Sequence, residues 1–560
     1  MTARETEPLT VTLPPTLPEL LGEAVAAYPD RLALEFLGAG TTYRELGEQV
    51  ALAVGVLRRL GVRRGDRVAL VLPNCPQHLV LFYAISSLGA VVAEHNPIAA
   101  PEEVRAQLDK HGAGVVIAWE KALDSVAPGG DTRGRTVLAV DLSAALPLRS
   151  RLLLKLPLKA ARAQREVLRG PVAPGIGSWE GELRAQRTMA SAEVAEGPEP
   201  DDVAVLLPTG GTTGVPKLVP LTHANLTANA AQGQQWVPGL VPGEEVFSAV
   251  LPFFHAFGLT LGLTFGVRMG ATQVVLPRFD AALMLAAHQR TPLTFVAGVP
   301  PIFDRLEAAA REEGVDLTSI RYAISGAMAL DPEVARRWEE ATGGLIIEGY
   351  GMTESSPVAV GNPFGPDRRP GTLGIPFPAT EVRIADPDLL DEGQHDAPDV
   401  EDGQNGELLL RGPQVFSGYL DDQEETDQVL LPEGWLRTGD LVRRNPDGFI
   451  VLADRRKELI ISGGFNIYPS QVEEAVRDMP GVVDVAVVGM PDPSLGERVV
   501  AAIVTEPGAL VDVDGVREWL HGRVSRYAIP RAVHALDELP RSQLGKILRR
   551  QVREHLLRRD

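Results

Sequence analysis

The chain has 560 residues, a formal net charge of −20 and one cysteine. That length spans several structural units at roughly 100–200 residues per domain, and a lone Cys75 excludes an intramolecular disulfide and a thiolate metal cluster. The acidic balance argues against a general nucleic-acid binder, which carries a basic face, yet leaves room for a locally positive cleft that takes small anions.

The N-terminal MTARETEPLTVTLPPTLPELL places acidic residues and prolines where a signal peptide needs an apolar run. No stretch reaches the roughly 18 uninterrupted apolar residues of a membrane span. A soluble, cytoplasmic chain is expected. No internal repeat or heptad period is visible. From Pro29 to about Ile117, short apolar strands alternate with helical patterns, which predicts an α/β unit with a largely parallel sheet. RVALVLPN reads as a strand, and QHLVLFYAISSLGAVV as a buried helix. Cys75, in PNCPQHLV, reads as a small buried residue rather than a nucleophile.

Residues 143–170 differ from their surroundings. Arg149, Arg151, Lys155, Lys159, Arg162, Arg165 and Arg169 face one acidic residue, Glu166, with leucines interleaved. The segment is either a patch for an anionic membrane surface or a solvated helical insertion with packed leucines. Pro147 and Pro157 would interrupt any single long helix.

Alternation resumes near Asp202, where VAVLLPT leads into TGGTTGVPK, residues 209–217. Glycines let backbone N–H groups converge on an anion, and the threonines and lysine add donors and charge. The Walker A pattern does not fit: Pro216 precedes Lys217, Leu218 follows it, and no Ser or Thr stands ready for a magnesium ion. Alone, the stretch is either a phosphate cradle or a Gly-rich turn. Farther on, EVFSAVLPFFHAFG and LTFVAGVPP read as strand-to-loop units, and the run from Leu251 to Gly266 as an apolar loop. The Asp- and Pro-rich piece from Asp386 to Asp402 reads as a surface loop. GELLLRG, GWLRTGDLVRR and FIVLADR are β-like, and a small α+β unit follows from about Arg455. That unit has helices at PSQVEEAVRDM and DVDGVREWLHGRV, and strands at VVDVAVVGM and RVVAAIVTE.

TGGTTGVPK is followed by SGAMAL from Ser325, EGYGMTESSP from Glu348, RTGDL from Arg437, DRRKELIISGGFNIYP from Asp454 and PRSQLGK ending at Lys546. In this order and spacing the chain resembles the AMP-forming acyl-CoA synthetases, the superfamily that includes luciferases and peptide-synthetase adenylation domains. Within them it is most similar to bacterial long-chain fatty-acid–CoA ligases. The likeness covers nearly the whole chain. Leu218 departs from a common glycine, and Pro208 precedes Thr209.

The resemblance implies an α/β fold with a large N-terminal domain (1–453) that includes a small β-barrel-like part. A hinge at 454–457 and a small mobile α+β C-terminal domain (458–560) complete it. It implies two half-reactions: a fatty acid and ATP form acyl-AMP and pyrophosphate, then coenzyme A displaces AMP. Lys546 would bridge acid and α-phosphate; read alone, it is a solvated lysine in a basic C-terminus. Thr209, Gly210, Gly211, Thr212, Thr213, Gly214 and Lys217 would cradle the β- and γ-phosphates. Gly349, Tyr350 and Gly351 would lie at the adenine, with Gly326 and Ala327 along it and the acyl carbonyl. Thr353 would contact phosphate and Glu354 would hold Mg2+. Asp440 would accept the ribose hydroxyls, although an Asp in a tight turn is common, and Arg455 would support ribose or phosphate. Lys457 would sit at the hinge, and Gly463 and Gly464 would line the coenzyme A passage. His255 and Gly258 would border the acyl pocket, where a packing histidine is the plain alternative. The apolar runs around them favour an apolar acyl tail over an amino acid, whose ammonium would need a buried partner. A ligase that hands its acyl-AMP product to a carrier protein, or one for aryl or medium-chain acids, stays open, as does a non-catalytic nucleotide binder. No nucleic-acid partner is expected. Transient contact with an anionic membrane at 143–170 would place the chain at the inner membrane face.

Overall fold

The structure is a computed structural model that describes residues 7–189, 197–209, 217–455, 458–462, 465–492, 495–509, 511–521, 523–524, 526–542 and 545–559. Among these residues the chain builds four sheets. The first has seven strands, with Arg67–Val71 and Val91–Glu94 at its centre and the hairpin of Val203–Thr209 and Lys217–Thr222 at one edge. All its pairings are parallel except that hairpin. The second has nine strands. Its parallel middle runs Leu345–Gly351, Tyr322–Ser325, Phe295–Gly298, Val246–Ala249, Thr272–Val275 and Leu32–Phe36. These strands are nearly continuous apolar runs, as a parallel sheet covered on both faces requires.

The Pro76–Ser87 helix is buried over most of its length. Its side chains are apolar all round, which suits a helix enclosed by protein rather than one facing water. It starts on Pro76 and stops earlier than the sequence pattern suggests. Gly89 turns the chain at φ +63°, and Val91–Glu94 form a strand. Asn74, just before this helix, links the two large sheets. Its Nδ2 donates to the carbonyls of Ala249 (3.0 Å) and Leu251 (2.7 Å), and its Oδ1 accepts from the Phe253 N–H (2.8 Å). One apolar core spans this junction, joining Leu70, Phe82, Phe253 and Val275 to Leu408 of the third sheet.

The third sheet is antiparallel and has five strands, including Gly406–Arg411, Trp435–Arg444 and Ile450–Arg455. It occupies the place expected of the barrel-like part. The expected surface loop after Asp386 contains one short helix, Pro387–Asp391, because the Asp386 carboxylate caps the N–H of Asp388 at 2.9 Å. The fourth sheet belongs to the small C-terminal unit, where Val482–Asp492 and Gly496–Thr505 form a long hairpin with its own cores. The expected helices fall at Pro469–Arg477 and Val513–Leu520. Pro147 and Pro157 do divide their segment, into helices Leu148–Leu153 and Lys159–Leu168. No described helix is long and apolar enough to cross a membrane.

Asn74→Ala would take away the Asn74 partner of the Leu251 carbonyl and of the Phe253 N–H, and one of two partners of the Ala249 carbonyl, which keeps the Leu276 N–H. Each buried group left unpaired costs about 1–3 kcal/mol, so a loss of about 3 kcal/mol is expected, read as a lower urea midpoint.

Candidate functional site

The phosphate-loop motif joins two antiparallel strands, Val203–Thr209 and Lys217–Thr222. Thr209 and Lys217 are direct cross-strand partners at its two ends. Gly210, Gly211, Thr212, Thr213 and Gly214 lie outside the described residues, as do Lys457, Gly463 and Gly464. Lys217 is buried at 7% exposure. Its ammonium is paired with Glu425, on the helix Gln423–Val429, and sits 4.7 Å from the ring centre of Tyr419. A buried ammonium needs such company, since an isolated one would be too costly to desolvate.

Tyr419 continues the network. Its hydroxyl donates to Glu354 Oε1 at 2.7 Å. Burial, with the Glu354 charge next, holds its phenol well above the usual tyrosine range, so it stays a donor. Glu354 is buried on the one-turn helix Thr353–Ser355, beside Thr353. The motif thus brings the lysine of one sheet edge and the carboxylate of another onto the same tyrosine.

Tyr350 lies on Leu345–Gly351, between Gly349 and Gly351. Its hydroxyl donates to Asp440 Oδ2 at 2.5 Å, linking the second sheet to the third. Asp440 is buried, and its cross-strand partner is Arg455 on Ile450–Arg455. Arg437 of the same motif is held by Glu407 (2.6 Å) and Asp391 (3.0 Å), which fixes the strand that presents Asp440.

Gly326 follows the strand Tyr322–Ser325, and a Cβ there would stand 2.9 Å from the Phe257 ring. Only glycine fits that approach. Ala327 takes φ +66°, a left-handed conformation uncommon for a non-glycine residue and typical of functional turns. The Ser325 hydroxyl is buried and has no hydrogen-bond partner among the described residues. An orphaned donor beside the expected acyl carbonyl is what a ligand site leaves behind.

Lys546 comes from the small C-terminal unit. The Ser542 N–H donates to the Lys546 carbonyl (2.7 Å), and the Lys546 N–H to Ser542 Oγ (3.1 Å). Gly545 closes this turn at φ +79°, and a Cβ there would lie 3.3 Å from Met328 Sδ. The turn that carries Lys546 therefore rests on the segment that carries Gly326 and Ala327.

His255 caps the short helix Ala256–Gly258, its Nδ1 accepting from the Phe257 N–H at 3.3 Å. Burial pushes its pKa down to about 4, so the ring is neutral near pH 7. The expected apolar loop is helical instead: Gly258 leads into a π-helix, Leu259–Gly266. This helix, the His223–Trp236 helix and the second sheet border a narrow apolar cavity of about 20 Å3. Gly233, Trp236, Leu261, Phe265, Ile324 and Val358 are among its walls. Trp236 stacks on Phe377 at 4.2 Å and donates from Nε1 to the Asn362 carbonyl at 3.0 Å. A broader groove beside Arg311, Arg336 and Glu340 is open to solvent, and none of the motif residues lines it.

Tyr419, Glu425 and Trp236 were not singled out from sequence. The aromatic after Gly418 in SGYLDDQEET was the one local signal for Tyr419. Glu425 was hidden in an acidic run.

Residues 21–420 match the family described as AMP-binding enzyme, and residues 471–546 match the AMP-binding enzyme C-terminal domain. The chain is 34% identical over 545 residues to the long-chain-fatty-acid–CoA ligase of Bacillus subtilis (strain 168), covering 96% of this chain and 94% of that one. It is 33% identical over 552 residues to the long-chain-fatty-acid–CoA ligase of Escherichia coli O157:H7, again covering 96% and 94%. Among solved structures, ATP-bound MatB from Rhodopseudomonas palustris matches with a TM-score of 0.80 at 28% identity, over 96% of this chain and 99% of that one.

Three buried histidines and the partly exposed His255 set an acid limit on stability. Burial lowers His95 to about 3 and His111, His223 and His255 to about 4, against about 6.5 when unfolded. Between those values the unfolded chain binds more protons. The histidine contribution to stability is therefore expected to be full above about pH 6.5 and to fall as pH drops toward about 4, offset in part by Glu180, which burial raises to about 7 and which acts with the opposite sign. Urea midpoints from pH 7.5 to 4.5 measure this, and His255→Gln is expected to flatten part of the decline.

Proposed function

The chain belongs to the AMP-binding enzyme family, the adenylate-forming acyl-CoA ligases, and from that premise we propose that it is a long-chain fatty-acid–CoA ligase. It joins a fatty acid to ATP, releases pyrophosphate, and passes the acyl group to coenzyme A. The observation that carries the reading is the Lys546 turn seated on Met328 beside Gly326 and Ala327. The likeness to ligases named for long-chain fatty acids supports a hydrocarbon tail, and the walls of the narrow cavity, though it is too small for the tail as it stands, are apolar.

In the first half-reaction a carboxylate oxygen attacks the α-phosphorus, and the bond to pyrophosphate breaks. Both reactants are anions, so positive charge and oriented donors must meet them in the cleft. Lys546 bridges the carboxylate and the α-phosphate. Lys217 and the loop from Thr209 hold the outer phosphates. Asp440 accepts the ribose hydroxyls, while Tyr350 fixes Asp440 and lies along the adenine. Arg455 supports ribose or phosphate. In the second half-reaction the coenzyme A sulfur attacks the acyl carbon and AMP leaves.

Mg2+ fits the donors present. Glu354 offers a hard carboxylate oxygen, next to the Thr353 hydroxyl. The described residues contain no group of three or more His, Cys, Asp or Glu able to hold a metal by themselves, so phosphate oxygens would complete the set. When bound, the ion neutralises phosphate charge. We also propose a hinge at 454–457 between units 1–453 and 458–560. Rotation there withdraws Lys546 and brings in Gly463 and Gly464 for coenzyme A. The enzyme works in the cytoplasm and at the inner membrane face, where long-chain acids concentrate.

An ATP–pyrophosphate exchange screen from acetate to oleate, with benzoate, tests the substrate class. Oleate and palmitate are expected to drive exchange at least tenfold faster than acetate or benzoate. Exchange with benzoate alone would favour an aryl acid, and oleoyl transfer to a carrier protein but not to coenzyme A would favour the carrier reading. Tyr419→Phe removes a hydrogen bond to a charged group, worth about 1.5–3 kcal/mol, so exchange is expected to slow by about tenfold or more.

A further inference from the structure

The helices Leu148–Leu153 and Lys159–Leu168 follow one another across Pro157 and are anchored at two points. Leu154 and Leu168 are buried in the main core. Trp119 Nε1 donates to the Leu168 carbonyl at 2.7 Å, and Arg165 Nη1 to the Leu154 carbonyl at 3.1 Å, tying the two helices together. Arg169 adds two bonds to the Glu120 carboxylate, at 2.7 and 3.1 Å. The segment is therefore held in place.

Its outer edge is apolar and uncovered. Leu148 is 70% exposed, Leu152 54%, Leu153 59%, Leu156 41% and Leu158 58%. Single exposed leucines are ordinary, but five exposed in one short stretch concentrate apolar surface there and call for a partner. Arg149, Arg151, Lys155 and Lys159 are threaded through it, and no acidic residue appears before Glu166. The whole chain, this segment included, carries a net charge of −20, so this edge is a cationic island on an acidic protein.

One occupant satisfies both chemistries. A second copy docking on the same patch would set these basic side chains against each other. A single-stranded nucleic acid would need aromatic stacking platforms, and the edge has none. An anionic bilayer takes leucines into its acyl boundary while Lys and Arg stems reach back to the phosphates. We infer that the Leu148–Leu158 edge and its basic collar dock the protein on an anionic membrane surface. The inference rests on the membrane location proposed above, and adds the surface, the lipid charge and the side chains that enter the bilayer.

The test uses the full chain without ATP or acid, cosedimented with vesicles of phosphatidylcholine, with or without phosphatidylglycerol. Binding to the mixed vesicles is expected to be at least tenfold tighter, and to fall when salt rises from about 0.05 to 0.5 M. Replacing Arg149, Arg151, Lys155 and Lys159 with Gln should weaken it by on the order of a hundredfold or more. Leu152→Ser, Leu153→Ser and Leu156→Ser together should weaken it by about tenfold or more. Both variants alter exposed positions, so unchanged thermal melting is the check on folding. For depth, Leu153→Cys can be labelled with an environment-sensitive fluorophore, because Cys75 is buried and its thiol is pushed up to about 12 by burial. A blue shift only with anionic vesicles supports insertion. If the wild type binds and both variants bind equally, the assignment to this segment is wrong and the membrane location stands. If the wild type ignores anionic vesicles, both fall. Leucine-dependent self-association in place of vesicle binding also overturns the inference.

Discussion

Gly545, the neighbour of Lys546, packs close to Met328, and the proposed chemistry depends on that approach. A carboxylate and a triphosphate repel each other, and the chain is itself acidic. Catalysis therefore requires cations delivered locally, from elements that nothing else in the sequence places together. Lys217 arrives on a hairpin of the first sheet, and Lys546 on a turn of the small C-terminal unit. Gly545 lets the latter approach within van der Waals reach of the segment that holds Gly326 and Ala327. Because that lysine sits on the small C-terminal unit, the proposed hinge would withdraw it after adenylation without unfolding the large unit. A lysine on the large unit could not be removed so cheaply.

The fixed half of the site is knit by hydroxyls and carboxylates. Tyr350 joins Asp440 across two sheets, and Tyr419 joins Glu354 to the surroundings of Lys217. Both bonds use charged acceptors, which are the stronger kind in a buried setting. Glu425 matters for a different reason. It gives the buried Lys217 ammonium a counter-charge that orients it and offsets part of the cost of burying it. Behind these polar groups the cavity walled by Trp236, Phe265 and Ile324 is apolar, and the two environments meet at the Ser325–Ala327 turn.

What the sequence revealed depended on how local each feature was. Thr209, Lys217, Glu354, Asp440 and Lys546 sit in short motifs whose residue types announce anion or cation chemistry, and the structure holds their described neighbours close together. Tyr419 and Glu425 are partners made by folding. Tyr419 lies 65 residues from Glu354, and Glu425 lies 208 from Lys217, so neither pairing leaves a local signature. The Leu259–Gly266 helix was masked by its glycines, which weaken helix propensity. Gly262 is needed there because a Cβ would stand 2.6 Å from the Phe253 ring, and packing overrides the propensity. The early end of the Pro76–Ser87 helix was hidden because its apolar run continues unbroken into a buried strand, where periodicity cannot tell the two apart.

The most direct measurement separates the two half-reactions in Lys546→Ala. The account expects adenylate formation from ATP and oleate to fall by on the order of a hundredfold or more, since a charged contact to the transition state is lost. It expects thioester formation from supplied oleoyl-AMP and coenzyme A to stay within about threefold of the wild type, because the lysine has left the site by then. Equal losses in both steps, or adenylation at the wild-type rate, would contradict it.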